Sequence, residues 1–122
     1  MKRVRVLVVD DSLPYRKLLV GMLNGMKNCE VVGEASDGRQ ALVKSAIIKP
    51  DLIILDIEMP KLNGLEVLKA MQERAMHFPV MVCSALTTAG AKETVKALEL
   101  GAFEVLAKPE CSTLEENEAI LS

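Results

Sequence analysis

The chain reads as an α/β domain, with a parallel sheet covered by helices on both faces. Three observations predict this. Short aliphatic runs alternate with segments of helical period five times along the 122 residues, the pattern of strands joined by right-handed crossovers. One run, Leu52-Ile53-Ile54-Leu55, is apolar without alternation, as suits a strand buried on both faces. Each of four runs hands over to residues able to do chemistry, and the carboxyl ends of parallel strands are where open α/β sheets bind ligands.

Val4 to Val9 is the first strand, closed by Asp10-Asp11-Ser12. Ser12 suits an N-cap and Pro14 the first helical turn. Leu18, Leu19, Met22, Leu23 and Met26 then recur at helical spacing, predicting a helix from Pro14 to Met26. A short strand over Val31 to Ala35 follows, and Ser36-Asp37-Gly38 turns into a second helix, Gly38 to Ile48, ended by Pro50. The third strand runs into Asp56. Pro60, Asn63 and Gly64 make a turn, after which Gly64, Val67, Leu68, Met71 and Ala75 predict one apolar helical face. Pro79 precedes a fourth strand, Val80 to Cys83, which hands over to Ser84-Ala85. A polar loop over Thr87 to Gly90 leads to a helix presenting Ala91, Val95 and Leu98 and ended by Gly101. The fifth strand is Phe103 to Ala107, running into Lys108-Pro109. Residues 112–122 form a last acidic helix or the start of a linker.

At this length the chain is expected to be one domain, residues 1–122, with a single core. Half the residues are hydrophobic and only three aromatic, so that core is aliphatic, drawing on seven methionines. A net charge of −2 with mixed signs leaves no footprint for nucleic acid or anionic lipid. No segment approaches the ~18 apolar residues that span a bilayer, and Arg5 with Asp10-Asp11 interrupts any leader-like run. The expectation is a soluble, cytoplasmic protein. Cys29, Cys83 and Cys111 have no C-x-x-C spacing and read as reduced structural thiols; His77 reads as a surface residue.

Parallel strands point their carboxyl ends the same way. Asp10, Asp11, Asp56, Ser84 and Lys108, scattered over almost the whole chain, therefore meet on one edge. Three crowded acids repel one another, and an oxygen-preferring divalent ion is their natural complement. Mg²⁺ is typically held by one or two carboxylates together with phosphate oxygens; Asp11 and Asp56 suit direct ligation, with Asp10 through water or at the rim. A carboxylate beside Mg²⁺ is a usable nucleophile toward phosphorus. In that transition state the ion, Lys108 and the Ser84 hydroxyl would each take one equatorial oxygen.

These residues also carry a resemblance. Val8-Val9-Asp10-Asp11-Ser12, Asp56-Ile57-Glu58-Met59-Pro60 with Asn63-Gly64, Ser84-Ala85 and Lys108-Pro109 resemble the receiver domain of two-component response regulators over nearly the whole chain. The resemblance implies a doubly wound, five-stranded parallel sheet of order 2-1-3-4-5 with five helices, the flavodoxin-like receiver fold. It implies Asp56 as phosphoacceptor from a histidine kinase, Asp10 and Asp11 as metal-binding acids, and the Glu58 backbone carbonyl as a further Mg²⁺ ligand. Ser84 matches the switch hydroxyl and Lys108 the phosphate-pairing lysine, with a cis Lys108-Pro109 bond. Phosphorylation would then shift the face of helix four, strand five and helix five toward an output domain or a downstream protein.

Within the family, Asp56 to Pro60 and the run from Ser84 to Ala102 are most similar to the regulatory domain of chemotaxis protein-glutamate methylesterases. With one histidine and no G-x-S-x-G element, these residues are not expected to hydrolyse esters. Receivers commonly carry Tyr or Phe three residues before the lysine; here that position is Val105, with Phe103 two residues earlier. Two other readings share the residues: a receiver fold used only for docking, and a phosphatase of haloacid-dehalogenase type. The latter family places its nucleophile on strand one in a D-x-D arrangement, whereas Asp10 and Asp11 are adjacent. Oligomeric state is not encoded in any motif.

Overall fold

The computed structural model describes residues 3–59, 62–85 and 95–108, and only the backbone of 84–85 and 105–108. Its elements in chain order are β1 (Val4–Val9), α1 (Leu13–Asn24), β2 (Cys29–Ala35), α2 (Gly38–Ile48), β3 (Leu52–Asp56), α3 (Gly64–Glu73), β4 (Val80–Ala85) and β5 (Glu104–Lys108). Residues 95–99 are also helical. The strands form one sheet in the order β2-β1-β3-β4-β5, and every pairing is parallel.

Alternation along the strands sorts the core into two layers. Leu7, Val9, Ile53, Leu55, Val80 and Val82 point to the side covered by α2 and α3, where Ala41, Leu42, Val67, Leu68 and Met71 meet them. Val6, Val8, Ile54 and Cys83 point the other way, toward Leu19, Val20 and Leu23 of α1. Helices on both faces explain why residues 6–9 of β1 and 52–55 of β3 read as unbroken aliphatic runs: Leu7, Ile53 and Leu55 are 0% exposed on one side and Val6 and Val8 on the other. β2, at one edge, is only partly buried.

Caps fix where α2 and α3 begin. The Asp37 side chain accepts from Gln40 N (2.8 Å). Asn63 and Glu66 form a reciprocal capping box, with bonds of 3.0 and 3.1 Å. Ser12 occupies the N-cap of α1 but makes no side-chain capping bond; its own N–H is taken by Asp10.

Several boundaries differ from expectation. α1 stops at Asn24, leaving Met26 beyond it and 52% exposed. β2 starts two residues early, at Cys29, because its first residues pair with Val4 and Arg5. α3 ends before Ala75, which takes a left-handed φ of 54° while Met76 N donates to Met71 O. The helical turn at 95–99 buries Ala97, while Val95 and Leu98 are exposed, so the expected apolar face is rotated. β5 begins at Glu104, leaving Phe103 outside the strand and exposed. His77 is exposed, and Gly101 closes the turn with φ +108°. Pro60, Ala91, the Thr87 to Gly90 loop, Pro109 with its cis bond, Cys111 and the 112–122 tail lie outside the described residues. Among the described residues, no helix is long and apolar enough to cross a membrane.

Candidate phosphoacceptor and metal site

The sheet register builds the site. Val9 pairs with Leu55 across β1 and β3, so Asp10 follows directly beside Asp56, the last residue of β3. Asp56 in turn pairs with Cys83 of β4, which places the Ser84 backbone one step further out. Ala85 pairs with Lys108 at the end of β5. The four strand ends thus reach one edge, with Asp10 and Asp56 level and the Ser84 and Lys108 backbones further out along it. The side chains of Ser84, Val105 and Lys108 lie outside the described residues.

Carboxylate oxygens of Asp10, Asp11 and Asp56 lie within 4.8 Å of one another. Asp10 and Asp56 are each 1% exposed, whereas Asp11 is exposed. At that separation two carboxylates repel by about 3 kcal/mol at an effective dielectric constant of 20. The fold must therefore hold them, and the hydrogen bonds show how. Asp10 N donates to Ala35 O (3.0 Å). Asp10 Oδ1 accepts from Ser12 N (2.8 Å), and Asp56 Oδ1 from Glu58 N (3.2 Å). Ile57 N donates to Cys83 O (3.0 Å), extending the β3–β4 ladder past Asp56, and Gly64 N donates to Ile57 O (2.9 Å). An all-oxygen donor set of three acids, two of them buried, fits a hard divalent cation.

Sequence reading missed Arg16. Its guanidinium donates from Nη1 to the Asp10 carbonyl (2.7 Å) and from Nε to Glu34 Oε1 (3.0 Å). A signal was present: Arg16 lies in the first turn of α1, where the helix dipole disfavours a cation, so something there had to hold it.

A rim of strand-end acids on a doubly wound sheet defines a class of protein, and known proteins of that class resemble this chain. The chain belongs to the response regulator receiver domain family, whose description matches residues 6–117. It is similar to protein-glutamate methylesterase/protein-glutamine glutaminases, at 44% identity over 90% of the chain for the Clostridium acetobutylicum protein and 45% over 100% for that of Desulfotalea psychrophila. The chain spans about a third of those relatives, 32% and 34% of their length. Among solved structures it resembles the response regulator domain of Thermotoga maritima CheB, with a TM-score of 0.84 and 41% identity over 98% of this chain and 91% of that one. A Francisella response regulator receiver domain shares the fold at a TM-score of 0.78 and 25% identity, over 98% of this chain and 93% of that one. The resemblance read from the motifs therefore holds, down to the likeness to protein-glutamate methylesterases.

Proposed function

We propose that this receiver accepts a phosphoryl group on Asp56 from a partner histidine kinase, in a Mg²⁺-dependent step, and thereby switches an output. A carboxylate oxygen of Asp56 attacks the phosphorus of a phosphohistidine. The P–N bond breaks, its electron pair returns to the imidazole, and an acyl phosphate remains on Asp56. Water attack on that phosphorus later restores the carboxylate. Asp10, Asp11, Asp56 and the Glu58 carbonyl would hold Mg²⁺, which when bound offsets the charge of the acids and of the phosphoryl oxygens. Lys108 pairs with a second phosphoryl oxygen and the Ser84 hydroxyl with a third.

One observation carries this reading: three carboxylates from two adjacent strand ends held within 4.8 Å, with Asp56 among them. Positioning and charge neutralisation are what phosphoryl transfer requires of a protein. On the output side, the exposed Val95, Leu98 and Phe103 give the region of residues 95–108 apolar surface for a partner that tells the two states apart. The matched relatives favour a chemotaxis output, with residues 1–122 as one receiver unit. The test is intact mass after incubation with acetyl phosphate and Mg²⁺. One phosphoryl group is expected on the wild type and none on Asp56→Ala or without Mg²⁺. Equal labelling of both proteins rejects the assignment, and no labelling of either favours a docking module.

A further inference from the structure

We infer that Arg16, locked by Glu34, is a positioning residue for the cation site, acting through the peptide plane between Asp10 and Asp11. This rests on the proposed Mg²⁺ site and names what holds its geometry. The Asp10 carbonyl belongs to the same planar peptide unit as the Asp11 amide. Fixing that oxygen fixes the plane, and with it the direction in which each of the two acids leaves the main chain. Arg16 Nη1 holds the oxygen at 2.7 Å, and Arg16 N donates to Ser12 O at 2.9 Å. Ser12 N in turn donates to Asp10 Oδ1 at 2.8 Å. Asp10, Ser12 and Arg16 therefore close a ring around the Asp10–Asp11 bond.

The ring is anchored from a different strand. Arg16 Nε donates to Glu34 Oε1 at 3.0 Å, and Lys44 Nζ donates to the Glu34 carbonyl, tying β2 to α2. The Arg16 side chain is only 15% exposed and that of Glu34 is 46% exposed. A pair with one partner open to solvent contributes little to stability by itself. Its consequence is geometric: mutual repulsion of three acids favours rotation of the Asp10–Asp11 peptide, and the guanidinium opposes it. A lysine at 16 could reach one acceptor but not fork between two.

Outer-shell partners of metal ligands typically change affinity by about 10–100-fold when removed. Calorimetric titration of Mg²⁺ into the whole 122-residue chain is accordingly expected to show affinity about tenfold weaker in Arg16→Ala. Arg16→Lys should fall between it and wild type, and Glu34→Gln should weaken binding in the same direction. In metal-free spectra the Asp11 amide resonance should move in Arg16→Ala, a change that general destabilisation alone does not produce in a folded variant. Urea unfolding of each metal-free protein separates stability from binding. Wild-type Mg²⁺ affinity in Arg16→Ala overturns the inference whatever its stability. If that variant does not fold, wild-type affinity in both Arg16→Lys and Glu34→Gln overturns it instead. No Mg²⁺ binding by the wild type would overturn the metal site itself, an outcome distinct from binding that the variants leave unchanged.

Discussion

Gly64→Ala is expected to destabilise the protein by about 3 kcal/mol, the upper part of the range for overpacking, and to impair phosphoryl uptake along with stability. A Cβ on Gly64 would lie 2.6 Å from Asp56 O, 2.7 Å from Ile57 Cα and 3.2 Å from Asp56 C. All three are backbone atoms, so no side-chain rotation relieves the clash. Either the first turn of α3 moves away or the turn after β3 does. In both cases the bond from Gly64 N to Ile57 O, 2.9 Å long, is strained. That turn carries Asp56 and the Glu58 amide bonded to it, so the damage reaches the acceptor directly. For a domain of this size the cost corresponds to a fall of about 10 °C in Tm. Urea unfolding with a parallel acetyl phosphate assay checks it. A change within about 0.5 kcal/mol, the range of neutral surface substitutions, would show that the turn adapts freely.

Asp10→Asn should move two quantities in opposite directions. Asparagine keeps an oxygen to accept from Ser12 N, so the local turn survives. What disappears is one buried negative charge within 4.8 Å of two others, where each pair repels by about 3 kcal/mol. Without metal the variant is expected to be more stable than wild type, by about 1–2 kcal/mol after loss of the favourable contacts the carboxylate makes. With Mg²⁺ the order reverses, because the site loses the charge that draws the ion. Mg²⁺ affinity is expected to fall about 100-fold, the upper end of what removing a supporting group costs. Urea midpoints with and without Mg²⁺ measure both effects at once. Lower metal-free stability would mean that the acids are held by compensating contacts stronger than their repulsion.

Much of this was legible in the sequence because parallel sheets obey a simple rule. Continuous aliphatic runs marked β3 and most of β1, and runs buried on both faces end together at a defined edge of the sheet. Asp10 and Asp56 follow as neighbours once β1 lies beside β3, which the order 2-1-3-4-5 supplies. α2 was legible to the residue, since Asp37 before it and Pro50 after it are local signals. Other features depend on tertiary context. Helical period continued past α3 to Ala75, but the chain turns there through a left-handed residue, a reversal periodicity does not encode. Val95 and Leu98 outrank Ala97 in hydrophobicity, yet Ala97 packs into the core at 0% exposed while they face out, a rotation that hydropathy alone does not encode. Ser12 is the N-cap residue its type suggests, but its side chain makes no capping bond. Arg16 was missed because its partners, a main-chain carbonyl and Glu34 eighteen residues away, are set by tertiary structure, and its place in the first turn of α1 is the one local sign of them.

The central claim is that Asp56 bears the phosphoryl group. An acyl phosphate, unlike a phosphate ester, is reduced by borohydride to an alcohol, which converts the modified aspartate to homoserine. Peptide mass mapping after Mg²⁺, acetyl phosphate and borohydride is predicted to find homoserine at position 56 and unchanged aspartate at 10, 11 and 51. Homoserine at any of those other positions, or phosphate recovered on a serine or threonine with Asp56 intact, would contradict the account.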